Sequence, residues 1–211
     1  YTKVLWKMER RGILVDMARL DKARPEAEAE INRVGRDLVK TVGRMINVDS
    51  PVQMRTYFID EVGLAPLRKT KGGKTGVRQA SVDSDFLEHY QYDCPAAKMV
   101  LDLREYMKLH GTYIVGLRDV CDPNGRIHTT FNQDVARTGR LSSSKPNIQN
   151  IPRPENDKWG IRDAFITVPG WQILAADYSQ LEMRLLSAAA MEDSMIDIFR
   201  RGWDIHMGNA A

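Results

Sequence analysis

Three observations predict an α+β fold for this chain of 211 residues. Helix-period apolar stripes fill its first half. Turn residues and short apolar or alternating runs, the mark of strands, begin near Asp122. A polar stretch with little periodicity, residues 132–160, lies among those runs, and irregular segments of that length inside a compact domain are usually functional. The reading is a helical domain followed by a domain with an antiparallel β-sheet and flanking helices, with the boundary near residue 122.

The elements follow in order. From about Pro25 to Met45, Ile31, Val34, Leu38, Val42 and Met45 form a helix stripe. Ser50-Pro51-Val52-Gln53 starts the next helix: Ser50 can cap, Pro51 suits the first helical position and Gln53 can complete a capping box. Pro66, Gly72, Gly73 and Gly76 interrupt the pattern, a short helix is predicted from Ser81 to about Tyr90, and a longer one begins near Pro95. Met99, Leu103, Tyr106, Met107, Tyr113, Ile114 and Leu117 give the longer one its apolar face. Asp122-Pro123-Asn124-Gly125 is a turn, and Arg126–Phe131 alternates as a strand would, with Ile127, Thr129 and Phe131 on one side. Strands are expected at Ala164–Val168 and at Trp171–Ala176. After them Leu181, Leu185, Leu186 and Ala189 recur at helical spacing.

Composition bounds the function. Hydrophobic residues at 43% and charged residues at 28% describe an ordinary globular chain, and no apolar run is long enough to span a bilayer. No secretory apolar region opens the sequence. Cys94 and Cys121 form no metal-type cluster and read as free thiols in a reducing compartment. The first residues, Tyr1–Trp6, begin in mid-pattern without an initiator Met, so a fragment of a longer protein is expected. The net charge of +3 is unevenly spread. Residues 68–78 hold Arg68, Lys69, Lys71, Lys74 and Arg78 without an acid. Residues 135–153 hold Arg137, Arg140, Lys145 and Arg153, again without one. Elsewhere acids outnumber bases. Two basic, Gly/Ser/Thr-rich segments are either the footprint of a polyanion partner or a pair of solvated loops.

Two segments carry candidate chemistry. In Asp177-Tyr178-Ser179-Gln180-Leu181-Glu182-Met183-Arg184, the carboxylate of Asp177 falls where a strand is expected to end and a helix to begin. It would there be a ligand for a hard cation such as Mg2+, bound by few protein oxygens and by substrate phosphates, or else a helix cap. Glu182 is one turn further on. In residues 132–153, Gly139 allows a sharp turn beside Arg140, whose donor fork suits phosphates and base edges. Asn147, Gln149 and Asn150 bring amides. The minor groove offers acceptors on every base pair, so donors there can check pair geometry without choosing sequence. Alternatively, the amides fasten a long loop to its own backbone.

Thr138-Gly139-Arg140-Leu141-Ser142-Ser143-Ser144-Lys145-Pro146-Asn147-Ile148-Gln149-Asn150-Ile151-Pro152, the Asp177 block and Asp204-Ile205-His206, in this order and spacing, closely resemble the family A DNA polymerases of the bacterial DNA polymerase I type. The likeness is dense from Gly125 onward. Upstream it thins to matches such as Gly12-Ile13-Leu14-Val15-Asp16 and Lys108-Leu109-His110-Gly111-Thr112-Tyr113.

The resemblance implies a preceding exonuclease-like domain ending in residues 1–16, a helical thumb over 17–121 and the first part of a palm over 122–211, ending before the fingers. It implies template-directed DNA synthesis in replication or repair, with primer-template DNA and deoxynucleoside triphosphates as partners and two Mg2+ ions. A monomer apart from any processivity factor follows, in the cytoplasm of a bacterial or phage-infected cell or in an organelle. Asp177 would bridge the ions, and the Tyr178 carbonyl would bind one. Tyr178, Ser179, Gln180, Glu182 and His206 would meet the nucleotide, Glu182 by crowding the sugar 2′ position. Arg140, Asn147, Gln149, Asn150 and Lys108 would lie along the DNA, and Lys69, Lys71 and Lys74 would sit near the thumb tip. His206 reads otherwise as a surface residue. Some positions depart from the family pattern. In Ile151-Pro152-Arg153-Pro154 the Arg comes one residue early, so no template role passes to Arg153, and Lys145 stands where an acid is common. Neither the family's second carboxylate motif nor its triphosphate-gripping helix precedes Ala211, so half an active site is expected, and the chain alone is expected to be inactive. Two alternatives remain: a non-catalytic DNA-binding fragment, and a single-subunit RNA polymerase, in which a small residue would replace Glu182.

Overall fold

The computed structural model describes residues 1–70 and 78–205, and the chain forms two compact units, Tyr1–Gly170 and Trp171–Ala211. The anticipated boundary near 122 falls inside the first unit.

In the first unit, α1 (Thr2–Arg11) leads into β1 (Ile13–Val15) and then α2 (Met17–Val42). The sequence places the start of α2 near Pro25, but the helix begins eight residues earlier. Asp16 caps it by accepting from the Arg19 N–H at 3.1 Å. Pro25 lies inside, where its ring removes one i→i−4 bond. Burial of Leu20, Ala23 and Ala27 on either side of it offsets that loss. Gly43, at φ 79°, ends α2 in the left-handed region with its N–H on the Val39 carbonyl. α3 (Pro51–Arg55) starts at the Ser50 cap and continues as a π-helix over Thr56–Glu61. The capping box does not close as expected. The Gln53 Oε1 accepts from the Asn47 N–H at 2.7 Å, three residues before the cap.

α4 (Ser84–Tyr90) is capped by Asp83, and α5 (Pro95–Lys108) has Pro95 in its first turn. The backbone of α5 widens into a π-helix over Leu109–Val115 and closes with α6 (Gly116–Asp119). Two cores result. One joins Val34, Leu38, Met54, Phe58, Phe86, Leu87, Val100 and Leu103. The other joins Val15, Leu20, Ala27, Leu109, Tyr113, Leu117, Ile127, Ile161 and Phe165. A fully buried Phe or Leu of this kind contributes about 1.5–3 kcal/mol.

The sheets are small and antiparallel. β1 is the middle strand of three, with Ile13 opposite Ile127 of β2 (Arg126–Ile127) and Val15 opposite Phe165 of β5 (Phe165–Ile166). A separate ladder pairs β3 (Thr130–Asn132) with β4 (Ser142–Ser144). The single strand expected over 126–131 is therefore two. The chain changes partner at His128 and Thr129, whose side chains turn to other elements. His128 reaches the Glu9 carbonyl at 2.8 Å and the Asp122 carboxylate at 3.2 Å, and the Thr129 hydroxyl is 2.7 Å from the Pro146 carbonyl. The expected strand 164–168 is only two residues long.

In the second unit the expected buried strand 171–176 is absent: the segment is exposed, forms no regular structure and is paired with no strand among the described residues. Apolar character alone cannot make a strand, because the ladder needs a neighbour. α7 (Leu181–Ala190) and α8 (Asp193–Arg200) follow, joined at Met191 in the left-handed region. Leu185 and Leu186, part of the run at helical spacing, are 61% and 55% exposed.

His128 makes one region of the fold sensitive to pH. The Glu9 carbonyl and then the Asp122 carboxylate raise its pKa above the ordinary 6.5. Asp122 itself is held at about 2, chiefly by the Arg126 backbone N–H, and so stays charged. A raised pKa gives stability that is complete below the ordinary value and lost as pH rises through the folded one. His128→Gln should therefore lower the denaturation midpoint at about pH 5.5 and do so less at about pH 8.5. A difference from the parent that does not change with pH would exclude this role.

Candidate functional site

The polar segment after β3 is fastened along its length. The buried Tyr113 donates its hydroxyl to the Asn150 carbonyl. Ile148 and Ile151 pack against the second core. Arg162 donates to the Ile151 and Pro152 carbonyls at 3.2 and 3.0 Å, and Asp157 accepts from the Ile161 and Arg162 N–H groups. Lys158 bonds Glu30 at 2.7 Å and the Tyr106 hydroxyl at 3.1 Å, with its ammonium 4.4 Å above the Tyr106 ring. Arg33 first and Lys158 second hold the Glu30 carboxyl at about 2. With Ile148 turned inward, its neighbours Asn147 and Gln149 are exposed, as are Arg140 and Asn150.

The two readings of the amides both hold in part. The Asn147 Oδ1 fastens the loop, accepting from the Ser143 hydroxyl at 3.0 Å and the Gln149 N–H at 3.1 Å. Its exposed side can still meet a ligand. Sequence reasoning missed Ser143, Thr129, Tyr113 and Arg162 as the supports of this surface. Ser143, Thr129 and Tyr113 are marked by burial, which sequence alone does not carry for a Ser or a Thr, and Arg162 is an exposed arginine like many others.

The basic segment 68–78 divides on inspection. Residues 68–70 and 79–81 pair across its base: the Thr70 N–H meets the Gln79 carbonyl at 2.7 Å, and the Ser81 N–H meets the Arg68 carbonyl at 2.9 Å. Arg68 bonds Asp83 at 2.7 Å and Asp85 at 2.9 Å, so two acids outside the segment neutralise its charge. Lys69 is exposed beside it, bridged through its backbone to Ala80. Lys71 and Lys74 lie outside the described residues. Below, Arg104 donates to the Val48 carbonyl at 2.5 and 2.8 Å and to that of Val82 at 3.4 Å, and burial lowers its pKa. Lys108 is exposed at the end of α5.

In the second unit Asp177, Tyr178 and Ser179 are exposed ahead of α7, and Glu182 is exposed in its first turn. Asp177 is not the helix cap. Gln180 occupies that position at φ 51°, and its side chain donates to the Asp204 carboxylate at 2.6 Å. Arg184 donates to the Ser179 carbonyl at 2.9 Å and lies 4.6 Å from the centre of the Phe199 ring. These two bonds fix the turn that carries Asp177. His206 lies outside the described residues. No group of three or more His, Cys, Asp or Glu able to hold a metal occurs among the described residues. Asp177 and the Tyr178 carbonyl are nonetheless the hard oxygen donors that Mg2+ takes, and that ion needs only one or two carboxylates when phosphates supply the rest.

Residues 17–211 match the model of DNA polymerase family A, and the chain belongs to that family. It is 40% identical over 209 residues to DNA polymerase I of Geobacillus stearothermophilus, covering 98% of this chain and 23% of the relative. To the thermostable DNA polymerase I of Thermus filiformis it is 39% identical over 211 residues, all of this chain and 25% of that one. The chain thus spans about a quarter of the length of these relatives. Its fold matches the POL domain of Pol1 from M. smegmatis, solved in complex with DNA primer-template and dNTP. That match has a TM-score of 0.85 and 36% identity, over 98% of this chain and 36% of the other.

If Arg68 mounts the basic segment rather than touching phosphate, Arg68→Gln should leave the salt dependence of duplex binding unchanged. Lys69→Gln should reduce the log-log slope by about 0.9 if it meets one phosphate. Binding isotherms across a salt series decide between them, and equal slopes for the two variants would refute the division.

Proposed function

We propose that this chain is the thumb, over 17–121, and the first part of the palm, over 122–211, of a DNA-directed DNA polymerase. Residues 1–16 end a preceding exonuclease-like domain. The observation that carries the reading is the Asp177–Arg184 block at the entry of a helix in a family A chain whose structural neighbour holds primer-template and dNTP. Family membership favours DNA over RNA synthesis. No helix of the described residues is long and apolar enough to cross a membrane. The likeness to bacterial DNA polymerase I supports a cytoplasmic monomer, apart from any processivity factor.

In the proposed reaction the primer 3′-hydroxyl gives its proton to solvent water and its oxygen bonds to the α-phosphorus of a deoxynucleoside triphosphate. The bond from that phosphorus to the oxygen bridging toward the β-phosphate breaks, and pyrophosphate leaves. Asp177 and the Tyr178 carbonyl would hold Mg2+, which when bound would stabilise charge on the attacking and leaving oxygens. Tyr178, Ser179 and Gln180 line the nucleotide's path, Glu182 crowds the sugar 2′ carbon and His206 meets the triphosphate. Arg140, Gln149, Asn147 and Asn150 follow the primer duplex in the minor groove, and Lys108, Lys69, Lys71 and Lys74 attract its phosphates. The described residues contain no group of three or more acids or other metal ligands. For the chain in isolation the alternative is DNA binding without synthesis.

Asp177→Asn in the intact enzyme should abolish nucleotide incorporation and leave primer-template binding near the parent's, since the grip on DNA is spread over many other residues. Single-turnover extension and equilibrium binding measure the two, and near-normal incorporation in Mg2+ would remove Asp177 from the metal site.

Glu182→Ala should raise ribonucleotide relative to deoxyribonucleotide incorporation by opening space beside the sugar. The ratio is the readout, because the overall rate also falls if the pocket loosens. An unchanged ratio would exclude the crowding role.

A further inference from the structure

Ser143 sits in β4 opposite Phe131 and is 4% exposed, one of the few buried polar side chains of the described residues. Its hydroxyl donates to the Asn147 Oδ1 at 3.0 Å, and its Oγ accepts from the Gln149 N–H at 3.2 Å. The same N–H reaches the Asn147 Oδ1 at 3.1 Å, closing a triangle of three atoms. A backbone N–H only donates, so the Asn147 atom that faces it is the oxygen. This shows which way the amide stands, otherwise ambiguous between O and N; with its Oγ already accepting from that N–H, the Ser143 hydroxyl gives its proton to the same Asn147 oxygen and holds it there. The Asn147 NH2 is left outside the triangle, on an exposed residue, and bonds to no protein group among the described residues.

The frame around the triangle is rigid. Thr129, 6% exposed, sets its hydroxyl on the Pro146 carbonyl, and Tyr113 holds the Asn150 carbonyl. Between the two amides Ile148 is seated against the core. The segment cannot turn as a whole, so the orientation of Asn147 depends on what its oxygen meets.

We propose that Ser143 is a positioning residue that keeps Asn147 with its NH2 toward the duplex, presenting donors only. The inference rests on the DNA-synthesis reading above. Donors match the purine N3 and pyrimidine O2, which every base pair presents in the minor groove. An amide turned the other way would present an acceptor. Its one match there is the N2 amino group of guanine, so a free amide would favour G·C pairs. Ser143 thereby makes the contact independent of sequence.

The test uses primer-templates in which 3-deazaguanine, with C–H in place of N3, replaces guanine at each position near the primer terminus in turn. Extension by the intact enzyme should slow by about tenfold at the position Asn147 meets, the loss of a buried hydrogen bond. Asn147→Ala should erase that penalty. Ser143→Ala should reduce it to about twofold, and Ser143→Thr, which keeps the hydroxyl, should restore it. Should Ser143→Ala not fold, Ser143→Cys carries the same test, its weak thiol donor giving an intermediate penalty. A Ser143→Ala enzyme that slows equally on both templates and keeps the parent's penalty would make Ser143 merely structural and overturn the proposal. So would a parent penalty that Asn147→Ala leaves in place. A parent that extends no primer at all overturns the DNA-synthesis reading itself, a separable outcome.

Discussion

The first unit depends on one seam, the packing of α2 along α5. α2 places Leu20, Ala23 and Ala27 in one core and Val34 and Leu38 in the other. α5 and its π-helical continuation do the same with Leu109 and Tyr113 against Val100 and Leu103. Neither helix can shift without disturbing both cores, and close-packed interiors resist such shifts. The segments proposed to meet DNA are mounted at the two ends of this spine. The stalk at 68–70 and 79–81 is tied by Arg68 to the start of α4, and Arg104 of α5 holds the chain at Val48 and Val82. The segment 142–152 is tied by Tyr113 and by Ile148 and Ile151 to the other core. Separation between the two surfaces is therefore a property of two helices, not of the loops.

Elements with local signals were legible in the sequence. Ser50-Pro51 and Pro95 begin helices where their chemistry predicts, and Asp122-Pro123-Asn124-Gly125 is a turn, with the Asp122 carboxylate accepting from the Asn124 and Arg126 N–H groups. Elements that depend on distant partners were not. Ile13–Val15 is too short to show a period, yet it is the central strand of its sheet because β2 and β5 flank it. Pro25 reads as a helix start and is instead tolerated within a helix whose flanks are well buried. Trp171–Ala176 has a strand's composition and no strand beside it among the described residues.

The candidate site was legible as chemistry and not as support. Arg140, Asn147, Gln149 and Asn150 are exposed, as ligand contacts need to be, and Asp177 is released from the capping role by Gln180. What holds them comes from residue types with no distinctive pattern: a serine in Ser142-Ser143-Ser144, a threonine, and an arginine ten residues beyond the loop it clamps. Charge counting also misjudged Arg68, because its partners Asp83 and Asp85 lie outside the window counted.

The exposed run Trp171–Ala176 has a practical consequence for anyone who prepares this chain. Leu174 is 91% exposed and Ile173 61%, in a segment with no charge, no proline and no strand paired to it among the described residues. Such a segment can recruit its own copy edge to edge. Concentrated samples should therefore cloud over time, and a charge introduced at Leu174 should keep them clear.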